Sequence, residues 1–228
     1  VPSSEQRDFR AQLEALGVRV EVFDNIRFDE VLENITRLGS LVGREREAQA
    51  RVKAIRDERA AVTRAVAGLP PPRVLLVLQR EPIFVVGRGN FIEEMVQAAG
   101  ATNLGAEFAD AYPQVTVEWV VARAPEVLLD MSLEPEEPAS YWSRWPSLPA
   151  LARGRVLRLD PALVSMPGPH LDRALEKLAV GLYGDEILPA IERERAFVDD
   201  ASHELRTPLA MHKTELELAL RYAETPEE

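Results

Sequence analysis

Residues 44–68, REREAQARVKAIRDERAAVTRAVAG, carry Ala, Arg and Glu in a run that has no proline and no glycine before its last residue. Strong helix formers without a breaker predict one helix of about 24 residues and ~36 Å, enough to cross a small domain from end to end. LPPP at 69–72 then stops it. Any fold for this chain has to be built around that rod.

Upstream, Phe28, Val31, Leu32, Ile35, Leu38 and Val42 fall on one helical face, interrupted by Gly39 and Gly43, so a shorter helix ends near Gly43. Phe9, Leu13 and Leu16 give helical spacing over 5–16, with Gly17 as the stop. The next stretch, VRVEVFD, alternates Val18, Val20 and Val22 with polar residues and predicts a strand closing at Asp24-Asn25. A lone α-then-β unit leaves that strand without a neighbour, which predicts further sequence upstream.

Beyond LPPP the pattern is α/β. RVLLVLQ is a continuous apolar run suited to a buried strand, and FIEEMVQAAGATN to a helix ending at Gly100. VTVEWVVARAPEVLLDMS reads as a helix followed by the strand Val127–Met131. A Trp- and Pro-rich loop, EPEEPASYWSRWPSLPAL, leads to the strand RVLRLD and to the helix PGPHLDRALEKLAVGLYG, with Pro at its start. Residues 73–184 therefore predict a three-layer α/β lobe with strands near 74–79, 127–131 and 155–159.

At 46% hydrophobic and 29% charged, the 228 residues suit a globular chain with one large or two small cores. A net charge of -11 argues against a broad nucleic-acid or anionic-lipid footprint and points to proteins or small molecules as partners. With no cysteine there are no disulfides and no Cys-metal sites. VPSSEQRDFRAQLEALG lacks the basic and apolar regions of a signal peptide, and no run reaches the ~18 apolar residues of a span. A soluble chain is expected.

Three segments carry a resemblance to the periplasmic substrate-binding proteins that serve ABC importers for cobalamin, haem and iron-siderophores. LGSLVGRE with the long helix after it resembles the rigid interlobe helix of that class. RVLLVLQREPIFVVGRGNFIEEMVQAAGATN resembles the opening of the C-terminal lobe. YPQVTVEWVVARAPEVLLDMS resembles the segment in which a glutamate docks to the transporter. The resemblance covers most of 17–184 and implies a class III-type fold with residues 1–27 as a remnant of the N-terminal lobe, helices over 28–68 and the C-terminal lobe over 69–184. It implies a corrinoid, haem or ferric siderophore as ligand, with no covalently bound cofactor, and an ABC permease as partner. Glu118 is implied as the docking carboxylate, although an acid there also suits a helix start. Tyr112, Phe84, Arg88 and Trp142 are implied as ligand-facing, since an aromatic ring offers a flat wall to a macrocycle and Arg pairs with its acidic groups. For Trp142 and Trp145, packing within their own loop competes with that role and is preferred. Met166 and His170 flank Pro167-Gly168-Pro169, and a single His without a partner at metal-ligand spacing reads as structural.

Residues 190–228 resemble something else, the dimerisation and phosphotransfer helix of sensor histidine kinases. HELRTPL, His203 to Leu209, matches the H-box, and FVDDAS before it also fits. On a helical projection Val198, Leu205, Leu209 and Leu216 share one stripe, with His203 about 200° from Leu205 on the accessible side. The resemblance implies His203 as phosphoacceptor, Glu204 as its acid/base neighbour and Thr207, one turn on, as an aid to rotamer or phosphatase chemistry. Pro208 predicts a kink one turn beyond the His. Implied with it are self-association through that helix and a response regulator as partner, while ATP would enter only through a domain this chain lacks. The two resemblances imply different compartments, extracytoplasmic for 1–184 and cytoplasmic for 185–228, so a junction is expected between Gly184 and Ile191. The leading expectation is an incomplete solute-binding protein. A histidine kinase fragment is the alternative.

Overall fold

The computed structural model describes residues 4–198. Two helices precede the expected rod, α1 (Ser4–Ala15) and α2 (Phe28–Leu41), and the rod itself is α3 (Glu45–Ala65). Between α1 and α2 the VRVEVFD segment forms no strand. Its valines stay in contact with water, Val18 at 48% and Val22 at 39% exposure, and no described strand lies alongside to take up its backbone groups. Alternation alone predicted a strand there; pairing did not supply one.

The start of α2 is held by acids. Glu30 accepts from the backbone N–H of Ile26 and Arg27, each at 3.0 Å, and Glu94 accepts from that of Phe28 at 2.9 Å. Gly39 does not break α2 but sits inside it, where a Cβ would stand 2.3 Å from that of Ala48. Only glycine lets α2 and α3 approach so closely. The chain reverses at Gly43, whose φ of +67° is left-handed.

The sheet has six strands: β1 (Arg73–Arg80), β2 (Ile83–Val85), β3 (Thr102–Asn103), β4 (Gln114–Val115), β5 (Val127–Asp130) and β6 (Val156–Arg158). Their order is β4-β2-β1-β5-β6, with β3 also paired to β1. β1, β3, β5 and β6 are parallel, whereas β2 runs antiparallel to both β1 and β4. The three expected strands are β1, β5 and β6. The other three, two or three residues long, were not anticipated.

Helices α4 (Phe91–Ala98), α5 (Val117–Arg123), α6 (Pro138–Trp142), α7 (Pro149–Ala152), α8 (Pro161–Val164) and α9 (Leu171–Tyr183) divide between the two faces. Because successive strand residues face opposite ways, Val74, Leu76, Val127 and Leu129 meet α2, α3, α4 and α9 in one core. Leu75, Val77 and Leu128 meet Val120, Tyr141, Trp142 and Ala150 in the other. This is the expected three-layer arrangement. Residues 188–198 are helical again, and Ile187 and Ile191 belong to the α3 side of the core, beyond the division placed at Gly184. Among the described residues no helix is long and apolar enough to cross a membrane.

Candidate functional site

Phe84 is the middle residue of β2, while Arg88 and Tyr112 lie on the two loops that follow β2 and precede β4. Ile83 and Val85 point into the core under α5 and α6, which sends Phe84, half-buried, to the opposite face. Past β2 the chain is clamped to the segment before β4: the N–H of Val85 donates to Pro113 at 3.1 Å and that of Gly87 to Ala111 at 2.9 Å. A Cβ on Gly87 would lie 2.0 Å from the carbonyl oxygen of Asp110, so this approach needs glycine.

Two buried asparagines complete the clamp. Asn90 donates to the carbonyl of Ala111 at 3.1 Å while its oxygen caps α4 by accepting from Ile92 and Glu93. Asn103 donates to Val86 at 3.0 Å and accepts from Gly105. Neither was singled out from sequence, although Asn90 directly before the apolar start of FIEEMV carries an N-cap signal.

On this framework Arg88 is exposed and donates from Nε to the carbonyl of Ala106 at 2.8 Å. Tyr112 is 47% exposed, and partial burial pushes its phenol above the ordinary value of 10, so it stays neutral at physiological pH. Backbone pairing thus brings the segments that carry three of the four predicted ligand residues next to one another.

The fourth, Trp142, is a correction. Its side chain is fully buried, its indole N–H donates to Asp130 at 3.0 Å, and its ring packs edge-on against Tyr141 at 5.1 Å. No face is left for a ligand. Trp145, partly buried, lies 5.7 Å from both Tyr141 and Trp142 and joins the same cluster. His170 directly precedes α9, and Met166 is 57% exposed.

Glu118 lies in the first turn of α5, whose N-cap is Thr116; the Thr116 hydroxyl accepts from the N–H of Trp119 at 3.3 Å. The carboxylate is exposed, and hydrogen bonds from its own N–H and from the Thr116 hydroxyl hold its pKa below 4.5. It stays charged and available at neutral pH. His203, Glu204 and Thr207, and the apolar stripe from Leu205 to Leu216, lie outside the described residues.

A mixed sheet between two helical layers, carried on one long helix, defines a three-layer α/β lobe as the class of this fold. The family model described as "Periplasmic binding protein" matches residues 2–163, and the chain belongs to that family. A vitamin B12-binding protein of Vibrio parahaemolyticus is 27% identical over 165 residues, 72% of this chain and 60% of the relative. An uncharacterized ABC transporter substrate-binding lipoprotein of Bacillus subtilis, YvrC, is 26% identical, over 80% of this chain and 59% of its own length. The crystal structure of a periplasmic heme binding protein from Pseudomonas aeruginosa superposes with a TM-score of 0.64 at 28% identity, over 78% of this chain and 68% of that one. The chain thus spans about six-tenths of the length of these two curated relatives.

Proposed function

We propose that this chain is part of a solute-binding protein that takes a corrinoid, haem or ferric siderophore outside the cytoplasmic membrane and hands it to an ABC permease. The observation that carries the reading is the family match over 2–163, which includes both clamped loops and α5. Relatives and neighbours named for vitamin B12 and heme binding support the ligand class. In this reading Tyr112 and Phe84 provide the apolar wall, Arg88 pairs with a ligand carboxylate or phosphate, and Glu118 meets arginines of the permease. Residues 1–27 then represent the end of an N-terminal lobe, 28–68 the helices between lobes and 69–184 the C-terminal lobe. The phosphoacceptor reading of His203, Glu204 and Thr207 in 185–228 rests on HELRTPL and the FVDDAS before it, which lie beyond the matched residues, and carries no part of this proposal.

Absorbance titration with cobalamin, haemin and a ferric hydroxamate tests it, on this chain and on one lengthened to the span of its relatives. Saturable spectral change with one of the three in the longer chain is expected. Absence of binding for all three in the longer chain overturns the reading.

A further inference from the structure

The segment after α9 changes character at Ile191. Up to that residue it is anchored by apolar burial, Ile187 at 5% and Ile191 at 0% exposure. From there it reads ERERAFV, with Glu192, Arg193, Ala196 and Phe197 exposed. Its attachments are ionic and run in both directions. Arg195 donates from Nε and Nη2 to the two oxygens of Glu58 on α3, at 2.6 and 2.8 Å, and also pairs with Glu176 on α9. In the opposite sense Arg64 of α3 donates to Glu194 at 2.9 Å, and its guanidinium lies 5.4 Å over the Phe197 ring.

The space beside these pairs is not filled by side-chain carbon. A cavity of about 310 Å³ is lined by Ala54, Asp57, Glu58, Asp172, Arg173, Glu176 and Arg195. Two of its acids have cations from elsewhere, Asp57 from Lys53 and Asp172 from Arg51. The Glu58 side chain, only 8% exposed, takes its cation from the segment itself. A nearly buried carboxylate that depends on one partner makes that partner's position energetically decisive.

We propose that residues 192–198 form a charge-held clasp on α3, fixed at Ile191 and able to release while the α/β body stays folded. α3 also carries α2, α4 and α9, so the clasp ties whatever chain continues past residue 198 to the rod on which the body is assembled. A displacement of α3 relative to α9 separates the two carboxylates that Arg195 bridges and opens the clasp. This device is independent of the ligand-binding reading.

Hydrogen-exchange mass spectrometry on the whole chain tests it. In low salt, residues 192–198 exchange slowly and together; at about 1 M salt, which weakens the half-exposed pairs to Glu194 and Glu176 more than the nearly buried one to Glu58, they exchange about threefold faster while β1 and β5 do not change. Arg195→Ala reproduces the high-salt pattern at low salt, and Glu58→Gln moves toward it. Exchange of 192–198 that ignores both salt and Arg195→Ala overturns the proposal. So does a rise in β1 and β5 as large as that in 192–198, which would make Arg195 an ordinary prop of the core. The salt series uses the unaltered protein and decides the matter even where a substitution fails to fold.

Discussion

Arg80 and Asp130 form an ion pair at 2.9 Å, with only 1% and 0% of their side chains exposed, across the C-terminal ends of the neighbouring strands β1 and β5. Asp130 also accepts from the Trp142 indole and from the N–H of Ser132, and Arg80 donates to the carbonyl of Glu136. The pair holds the segment from Ser132 to Trp142, the loop and α6 after it, through these bonds. Asp130→Ala leaves a buried guanidinium without its counter-charge, a loss of about 3–5 kcal/mol. Urea denaturation should show a much lower midpoint, whereas Asp130→Asn, which keeps an acceptor, loses less.

Trp142→Phe separates the two roles weighed for this residue. The substitution keeps one aromatic ring but removes the donor to Asp130 and part of a buried volume, at a cost of roughly 1–3 kcal/mol. Thermal unfolding should register that loss. Ligand affinity, measured by the titration described above, should not change.

Tyr112→Ala should do the reverse. Removing a half-exposed ring from a clamped loop leaves the melting temperature within the range of an ordinary surface change. In the ligand-binding reading it weakens affinity by about tenfold, the scale of one lost aromatic contact.

The close approach of α2 and α3 is equally open to test. Gly39→Ala forces a methyl against Ala48 and should cost about 1–3 kcal/mol by overpacking. Adding Ala48→Gly to that variant should restore most of the stability, a coupling that a double-mutant cycle reads directly.

Acid sensitivity has a local source at Glu126, which accepts from the N–H of Arg73 at 3.0 Å and pairs with Arg153 at 2.6 Å. The Arg73 N–H first, then Arg153, holds its pKa below 4.5. A folded-state pKa below the unfolded one stabilises the fold above pH 4.5, and the contribution fades as pH falls through the lower folded value. The gap in urea midpoint between the protein and Glu126→Gln should therefore be full at neutral pH and close as pH falls through the lowered folded-state pKa.

Long, uninterrupted patterns were legible in the sequence. The rod at Glu45–Ala65 follows from composition, and β1 and β5 follow from apolar runs buried on both faces. The expected strand at Val18–Phe23 failed because alternation specifies which face a side chain takes, not whether a partner strand exists. β2, β3 and β4 were invisible for the converse reason: with two or three residues each, they are defined by pairing to β1 and to one another. The loop positions of Arg88 and Tyr112 could be read from a family resemblance, whereas Phe84 lies in β2, and the clamps through Asn90 and Asn103 that hold these segments together could not be read. Trp142 shows the same limit, since an aromatic in a Pro-rich loop looks alike whether it turns outward or, as here, onto a buried carboxylate.

β6 ends one side of the sheet with only three residues, and its Arg158 reaches back to the carbonyls of Ser132, Glu134 and Glu136. An open strand edge is a template on which other chains can polymerise. Here the template is shorter than a typical strand, carries a cation, and has that cation's hydrogen bonds committed to its own loop. At high concentration, as during synthesis or refolding, this border of the molecule resists edge-to-edge growth into fibrils.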